Sequence, residues 1–459
     1  MRSWSPERVA HAAGARLISS PSRSNGPERA VIDSREAGPG ALFVGLQGRN
    51  ADGGAFAAQA LDAGAWGVLT EFARADDAGR VAATTSRASP GVVLATEDPL
   101  KALHRLAQAW RRELQAHVIG VTGSTGKTST KDLLLAVLAP HRQTVASRAN
   151  FNTEIGVPLE ILAAPAGTQV LVLEMAMRGQ GQIRELVRIA EPDVGVIVSV
   201  GPVHLELLVT VEAVAAAKAE LIAGLPAGGT AIVPAGEKLL EPHLRNDLRT
   251  ITFGDGGEVR LLAAEGDRLE IDLAGQPIVL DVSFQQAHLR RNLLAAVAAA
   301  HAIGVTPSGR VELALTPGRG ERLGLASGVT VIDDCYNANP MSMRAALEDL
   351  AATAERGRHR RRVAVLGDML ELGETEQEFH AEIGEHAGAV GVDLLVTVGP
   401  RAAAMSERFA GSVRSVSDAT EAAALVPALL HPGDLVLVKG SRGVGLELVC
   451  RALRNGASG

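Results

Sequence analysis

The stretch His117–Asp132, HVIGVTGSTGKTSTKD, constrains the fold of this chain more than any other. Val118, Ile119 and Val121 form a short β-branched run that breaks at glycines 120, 123 and 126, after which Lys127, Thr128 and Ser129 open the apolar helix DLLLAVL. The order strand, glycine-rich turn, helix is that of a phosphate loop. Glycines let several amide N–H groups converge on phosphate oxygens, the helix N-terminus adds partial positive charge, and Lys127 supplies a full one. Thr128 can bring its hydroxyl to a magnesium ion. The spacing is a variant, because the first glycine falls at 120 and the strict pattern would put it at Val121. Gly123, Ser124, Thr125, Gly126, Lys127, Thr128 and Ser129 are the candidate nucleotide contacts; the competing reading is a glycine-rich turn carrying a surface lysine.

A chain of 459 residues is too long for one ordinary core and predicts two or three domains. Apolar residues make up 46% of it but aromatics only 3%, so its cores must pack Ala, Val and Leu, which suits helices on parallel sheets. The formal charge of −7 argues against nucleic acid or a membrane surface as main partner, so a positive field for phosphates has to be local. Cys335 and Cys450 are too few for a disulfide framework, and no other residue stands at metal-ligand spacing from them. MRSWSPERVAHAAG carries charges where a signal peptide needs an apolar core, and the longest apolar run, Leu293 to Val305, is too short to span a bilayer. These features predict a cytoplasmic protein without membrane insertion.

Residues 1–96 read as a small mixed region. Asp33, Ser34 and Arg35 end an apolar run, and Gly45 to Gly54 form a glycine-bearing loop, which is either a ligand loop or a turn with solvated polar residues. Glu97, Asp98 and Pro99 open a helix and mark the first boundary. Residues 97–316 then repeat one pattern, an apolar strand with a polar residue at its carboxyl end. Glu174 ends QVLVLE and His204 follows VGVIVSV, so Lys127, Glu174 and His204 should face one crevice at the strand ends of a parallel sheet. A carboxylate there needs a cation, either magnesium or a salt-bridge partner. Asn150 and Asn152 alternate on a stretch read as extended, where they contact substrate or cap the next helix. Lys218 reads most simply as a solvated lysine on an Ala-rich helix, and the helix around His288 and Asn292 as one with its Ala-rich side inward.

The Pro/Gly-rich TPGRGE segment gives the second boundary, and residues 317–459 form a second βαβ region without a phosphate loop. Asp333, Asp334, Asp368, Lys439 and Arg442 cluster at its strand ends, as a lid over a nucleotide would require. The basic run RGRHRRR reads as a solvated helix end.

TGSTGKTS, NFNTEIGVP, VLEMA, HLE, AKAEL, IDDCYNANPMSM, LGDMLELG and VLVKGSR together resemble the Mur ligases of peptidoglycan synthesis over essentially the whole chain. The resemblance implies an α/β protein of three domains: a UDP-substrate domain (1–96), a central ATP-binding domain (97–316) and a Rossmann-like C-terminal domain (317–459). It implies an ATP-dependent amide ligase, and YNANP, GDMLELG and KGSR point within the family to joining D-alanyl-D-alanine to UDP-N-acetylmuramoyl-tripeptide. By the same resemblance Lys127, Glu174, His204 and Lys218 carry catalysis; Thr128, Glu174, His204 and Lys218 hold two magnesium ions, with Lys218 carbamylated; and Asn292, Arg319 (or, one register over, Arg322) and Asp334 bind nucleotide. Substrate contacts fall on Ser34, Arg35, Gln47, Gly48, Arg49, Asn50, Asn150, Asn152, Thr153, Tyr336, Asn337, Asn339, Lys439, Ser441 and Arg442. A monomer is expected. The chain departs from the family pattern at Gly54, where a histidine is usual, at Leu289, which leaves Asn292 as the candidate for the base, at Ala176, and in LELLVT. Another amino-acid ligase of the family, a folylpolyglutamate-type ligase, or a non-catalytic nucleotide-binding protein of the same fold are the competing readings.

Overall fold

The computed structural model describes residues 1–21, 25–48, 51–84, 91–148, 150–314, 316–357, 359 and 361–456. Three sheets follow one another along the chain. The first has five strands in the spatial order Arg16–Ser19, Val92–Thr96, Gly67–Glu71, Ala41–Val44, Arg29–Val31, antiparallel only between the first two. Helix Pro99–Leu114 follows it. Asp98 caps this helix by accepting the Lys101 N–H at 2.9 Å, with proline in the first turn, as its sequence predicts. Trp110 on this helix meets Trp4 edge to face at 5.5 Å, tying the N-terminus to the central unit.

The second sheet has ten strands. Its parallel part is ordered Thr144–Ala146, Val170–Glu174, His117–Thr122, Val194–Ile197, Thr230–Pro234, Arg249–Phe253. Val170–Glu174 and Val194–Ile197 are buried along their whole length because helices cover both faces, which is why they read as unbroken apolar runs. Beyond Phe253 an antiparallel meander, Val259–Glu265, Arg268–Leu273 and Gln276–Val282, extends the sheet. Its second hairpin turns on Ala274 and Gly275, both at positive φ, a two-residue connection that the apolar periodicity of the sequence did not flag. Helix Ala287–Ala302 buries every residue from Asn292 to Ala300, more than the single inward side expected.

The third sheet runs Glu321–Gly324, Thr330–Asp334, Asp434–Lys439, Arg361–Gly367, Leu394–Val398, Ser412–Val416, with only the first strand antiparallel. Arg361 and Arg362, read as part of a solvated helix end, lie instead in a strand. Arg361 pairs with Asp434 at 2.6 Å, and the Arg362 N–H donates to Asp393 at 2.8 Å. No described helix is long and apolar enough to cross a membrane.

Candidate active site

The carboxyl ends of His117–Thr122, Val170–Glu174 and Val194–Ile197 meet at the point where the strand order reverses, and the phosphate loop sits there. Gly126 precedes helix Lys127–Leu138 at φ +79°. A Cβ there would come within 2.7 Å of the Asn292 Oδ1, so glycine serves both the left-handed backbone and a close approach of two helices. The loop is braced from the next strand: the Thr125 N–H donates to Ser199 Oγ at 2.9 Å, and Ser124 Oγ donates to the Gly201 carbonyl at 3.0 Å. Lys127 Nζ folds back onto the Gly123 carbonyl at 2.7 Å. Burial holds its ammonium below the ordinary lysine value; Glu174 raises it and the Arg319 charge lowers it further.

Glu174 is buried at the end of its strand and is gripped on both oxygens, by Thr128 Oγ1 at 2.8 Å and Asn152 Nδ2 at 2.8 Å, while its N–H donates to Ser147 Oγ. Asn150 and Asn152 do not lie on an extended stretch. The Asn152 N–H turns back to the Asn150 carbonyl at 2.8 Å, and the Ala176 N–H ties that turn to the strand end, because Asn152 must reach Glu174. Thr153 is exposed and accepts the Gly156 N–H at the start of the following helix.

Lys218 is not solvated: it is 2% exposed on helix Val211–Ala223. No hydrogen bond or ion pair reaches its ammonium among the described residues, and burial, then the Lys127 charge, push it well below the lysine range. The sequence around it is Ala-rich because that helix packs on both sides, not because it faces water. His204 caps the short helix Leu205–Leu208 at φ +53°, and its Nδ1 contacts the Glu371 carboxylate from the third sheet. Burial lowers its imidazole; Glu371 raises it, and the charges of Lys127 and Lys218 lower it.

A cavity of about 290 Å³ opens between the central and C-terminal units. It gathers Ser124 to Ser129, Asn150, Asn152, Glu174 and Asn292 from one side, and Arg319, Asp334, Tyr336, Asn337, Asn339 and Lys439 from the other. Arg319 lies over the Tyr336 ring at 4.1 Å with its Nε unpartnered, whereas Arg322 is tied to Asp349 at 2.9 Å and to Thr353 at 2.8 Å. Of the two registers, therefore, Arg319 is the one at the cavity. Lys439 is buried and paired with Asp334 at 2.7 Å and with the Asn337 carbonyl. Asn339 caps helix Pro340–Gly357 by accepting the Ser342 N–H. His288, Leu289, Met341 and Ser342 also line the cavity, and none of them stood out in the sequence as a contact. Met341 Sδ lies 2.0 Å from where a Cβ on Gly201 would be, so that glycine lets the two units close on each other.

Other residues lie elsewhere. His204 and Lys218 are not among the residues lining this cavity, although the Lys127 charge acts on both. Ser441 is buried and accepts the Leu370 N–H, a tie between loops, and Arg442 lies outside, with its guanidinium 5.3 Å from the Tyr336 ring. Ser34, Arg35, Gln47 and Gly48 belong to loops of the first sheet, away from this cavity, and Arg49 and Asn50 lie outside the described residues. The Arg35 guanidinium holds the Asp33 carboxyl down at about 2. The cysteines correct a further expectation: Cys335, Cys450 and Asp333 place one ligand atom each within 4.8 Å of one another. The Cys450 thiol is pushed up by its hydrogen bond to Cys335, then by burial, so it keeps its proton.

Family models match three successive segments: "Mur ligase family, catalytic domain" over residues 30–111, "Mur ligase middle domain" over 121–300, and "Mur ligase, glutamate ligase domain" over 318–442. The UDP-N-acetylmuramoyl-tripeptide--D-alanyl-D-alanine ligase of Bacillus subtilis (strain 168) is 34% identical over 437 residues, covering 92% of each chain. Among solved structures, MurF from Acinetobacter baumannii superposes with a TM-score of 0.85 at 27% identity, covering 98% of this chain and 99% of the other. MurF ligase from Thermotoga maritima in complex with ADP superposes at 0.79 with 29% identity, covering 94% and 98%.

Proposed function

The chain belongs to the Mur ligase family and is an ATP-dependent ligase that joins D-alanyl-D-alanine to UDP-N-acetylmuramoyl-tripeptide; for that reaction we propose the following division of labour among its residues. The observation that carries it is the cavity lined by both Lys127, from the central unit, and Arg319, from the C-terminal unit, close enough that the Arg319 charge lowers the Lys127 ammonium. ATP lies there. Lys127 exchanges the Gly123 carbonyl for the β- and γ-phosphate oxygens, the loop N–H groups hold the remainder, and Asn292 stands at the base side. An oxygen of the tripeptide's terminal carboxylate attacks the γ-phosphorus, ADP leaves, and an acyl phosphate forms. The D-alanyl-D-alanine amine, as the neutral base, then attacks the acyl carbon, the C–O bond to phosphate breaks, and inorganic phosphate leaves as the nitrogen gives up one proton to it or to water. Both steps crowd anions together, so the cations Lys127 and Arg319 do the largest share of the work. Asp334 holds Lys439 in place at the cavity wall and receives the nucleotide's ribose or a phosphate-bound water.

Thr128 Oγ1 and the Glu174 carboxylate form the hard-oxygen donor set that suits magnesium, and a buried carboxylate without a cationic partner fits such an ion. When bound, magnesium neutralises phosphate charge as the phosphoryl group transfers. Lys218 deepens the fit. Its neutral amine can attack carbon dioxide, forming an N–C bond and releasing a proton, and the resulting carbamate is a carboxylate-like ligand that, with His204, would hold a second ion. The burial of Lys218 without a counter-ion supports this reading. The UDP part of the substrate falls to the loops of Ser34, Arg35 and Gln47 to Asn50, and the amine side to Tyr336, Asn337 and Asn339. We place the domain boundaries after residues 96 and 316, since all strands of each sheet fall within one segment. The test is phosphate release from ATP. It is expected to require both the UDP-tripeptide and D-alanyl-D-alanine, and equal turnover with free D-alanine would sink the dipeptide assignment.

A further inference from the structure

The LGDMLELG motif is not used by the division of labour above, yet it crosses from the C-terminal unit to the central one. Glu371 lies in it at φ +64°, and His204, which it touches, is at φ +53°. Two strained non-glycine backbones, on loops of the central and C-terminal units, meet side chain to side chain. Such conformations are costly for residues that carry a Cβ and persist where the surroundings hold them in place. Three further contacts do so. The Glu206 N–H donates to the Glu371 carbonyl at 3.3 Å, Arg178 Nε lies 3.7 Å from the second carboxylate oxygen, and a Cβ on Gly373 would sit 3.3 Å from the backbone at Leu205 and Glu206. The segment thus lies flat against the His204 turn. A carboxylate that accepts a hydrogen bond from the Nδ1–H of a neutral imidazole fixes the ring's tautomer and leaves Nε2 as the acceptor.

We propose that Glu371 is a positioning residue: arriving with the C-terminal unit, it locks the His204 ring through Nδ1, so that His204 is set for the reaction only when the two units are closed. The proposal rests on the reading that His204 serves the ligase reaction. Closure and chemistry are thereby coupled through one contact, and a half-open enzyme is kept from spending ATP on water.

The experiment is a double-mutant cycle on the full-length protein, run after the unsubstituted enzyme has been shown to need both co-substrates, so that a failure of the functional reading appears at that first stage and is told apart from a failure of this proposal. Glu371→Ala is expected to lower kcat by about 10- to 100-fold with the KM for ATP changed less than about threefold, and Glu371→Gln, which can still accept from Nδ1, to recover part of the loss. Because Glu371 acts through His204, the double variant His204→Ala/Glu371→Ala should be no slower than His204→Ala alone, within about twofold. Solution scattering supplies a second readout: with ADP and UDP-tripeptide bound, Glu371→Ala should stay more extended than the unsubstituted protein. Should the alanine variant fold poorly, the cycle is run with glutamine, matched to the unsubstituted protein by melting. A kcat within twofold of normal, losses that multiply in the double variant, or equal compaction with ligands bound each overturn the proposal.

Discussion

The strand-end edges of the central and C-terminal sheets face each other across the same cavity but treat charge in opposite ways. On the C-terminal side, charges are largely paired at home: Lys439 with Asp334, Arg322 with Asp349 and Arg454 with Asp333. On the central side, among the described residues, Lys127 hydrogen-bonds only a carbonyl, with the Glu174 charge acting on it from a distance, Lys218 has no partner, and Glu174 is hydrogen-bonded by neutral donors. Buried charges without counter-charges are costly, and an edge that tolerates them is one completed by ligands. The paired edge is a preformed wall; the unpaired one is, on the reading proposed above, the half of a site that nucleotide and magnesium would finish. Arg319 is the exception on the C-terminal side, its Nε unpartnered, and it is also the residue aimed across the gap.

Four tests probe this contrast. The largest effect is expected from Lys127→Ala, which should lower kcat by about 10³-fold or more in the phosphate-release assay, since removal of one charge-stabilising group alone costs about 10²- to 10³-fold. A near-normal rate would place ATP elsewhere. Next, Lys218→Ala should lose about 10²-fold and regain part of it with added short carboxylates, while Lys218→Arg should not be rescued; in the unsubstituted enzyme, activity should rise with bicarbonate and with pH, because the carbamate forms from the neutral amine. If Lys218→Ala keeps most of its activity at saturating magnesium, the carbamate assignment fails.

The third test sets the exception against the rule. Arg319→Ala should cut kcat/KM by about 10²-fold while melting is unchanged, whereas Arg322→Ala, which strands the buried Asp349, should cost roughly 3 kcal/mol of stability with kcat within about threefold. Reversed behaviour would exchange their roles. The smallest effect is on stability alone. Lys218 has a folded pKa below its unfolded one, so its contribution is fully favourable only above the unfolded value near about 10.4, and is lost as pH falls through the folded value. Lys218→Met should therefore melt higher than the unsubstituted apo-protein near neutral pH in magnesium-free, carbon-dioxide-depleted buffer, and the gap should close toward pH 10. A methionine variant that melts lower at neutral pH would show that the amine already has a partner.

Much of this was legible in the chain itself. The phosphate loop, the buried parallel strands and the polar residues at their carboxyl ends follow from local demands: glycine where the backbone turns sharply, unbroken apolar runs where both faces are covered, Asp98 and a proline where a helix begins. The antiparallel meander between Val259 and Val282 was not, because its strands alternate irregularly and one of its turns uses Ala274 at positive φ, a residue with no turn signature. Among the site residues, Lys127 and Glu174 could be placed from their neighbours in sequence, but Lys218 could not.

What the sequence determined by itself was where each strand and loop begins, and hence which edge carries the phosphate site, since these depend on interactions within a few residues. Only the tertiary structure decided that Lys218 is desolvated, that Arg319 rather than Arg322 meets the loop, that Cys335 and Cys450 stand together, and that Glu371 holds His204. Each of those outcomes depends on which distant element comes to cover or face a side chain. Desolvation and charge pairing act through space, and a pattern read along the chain carries no record of them.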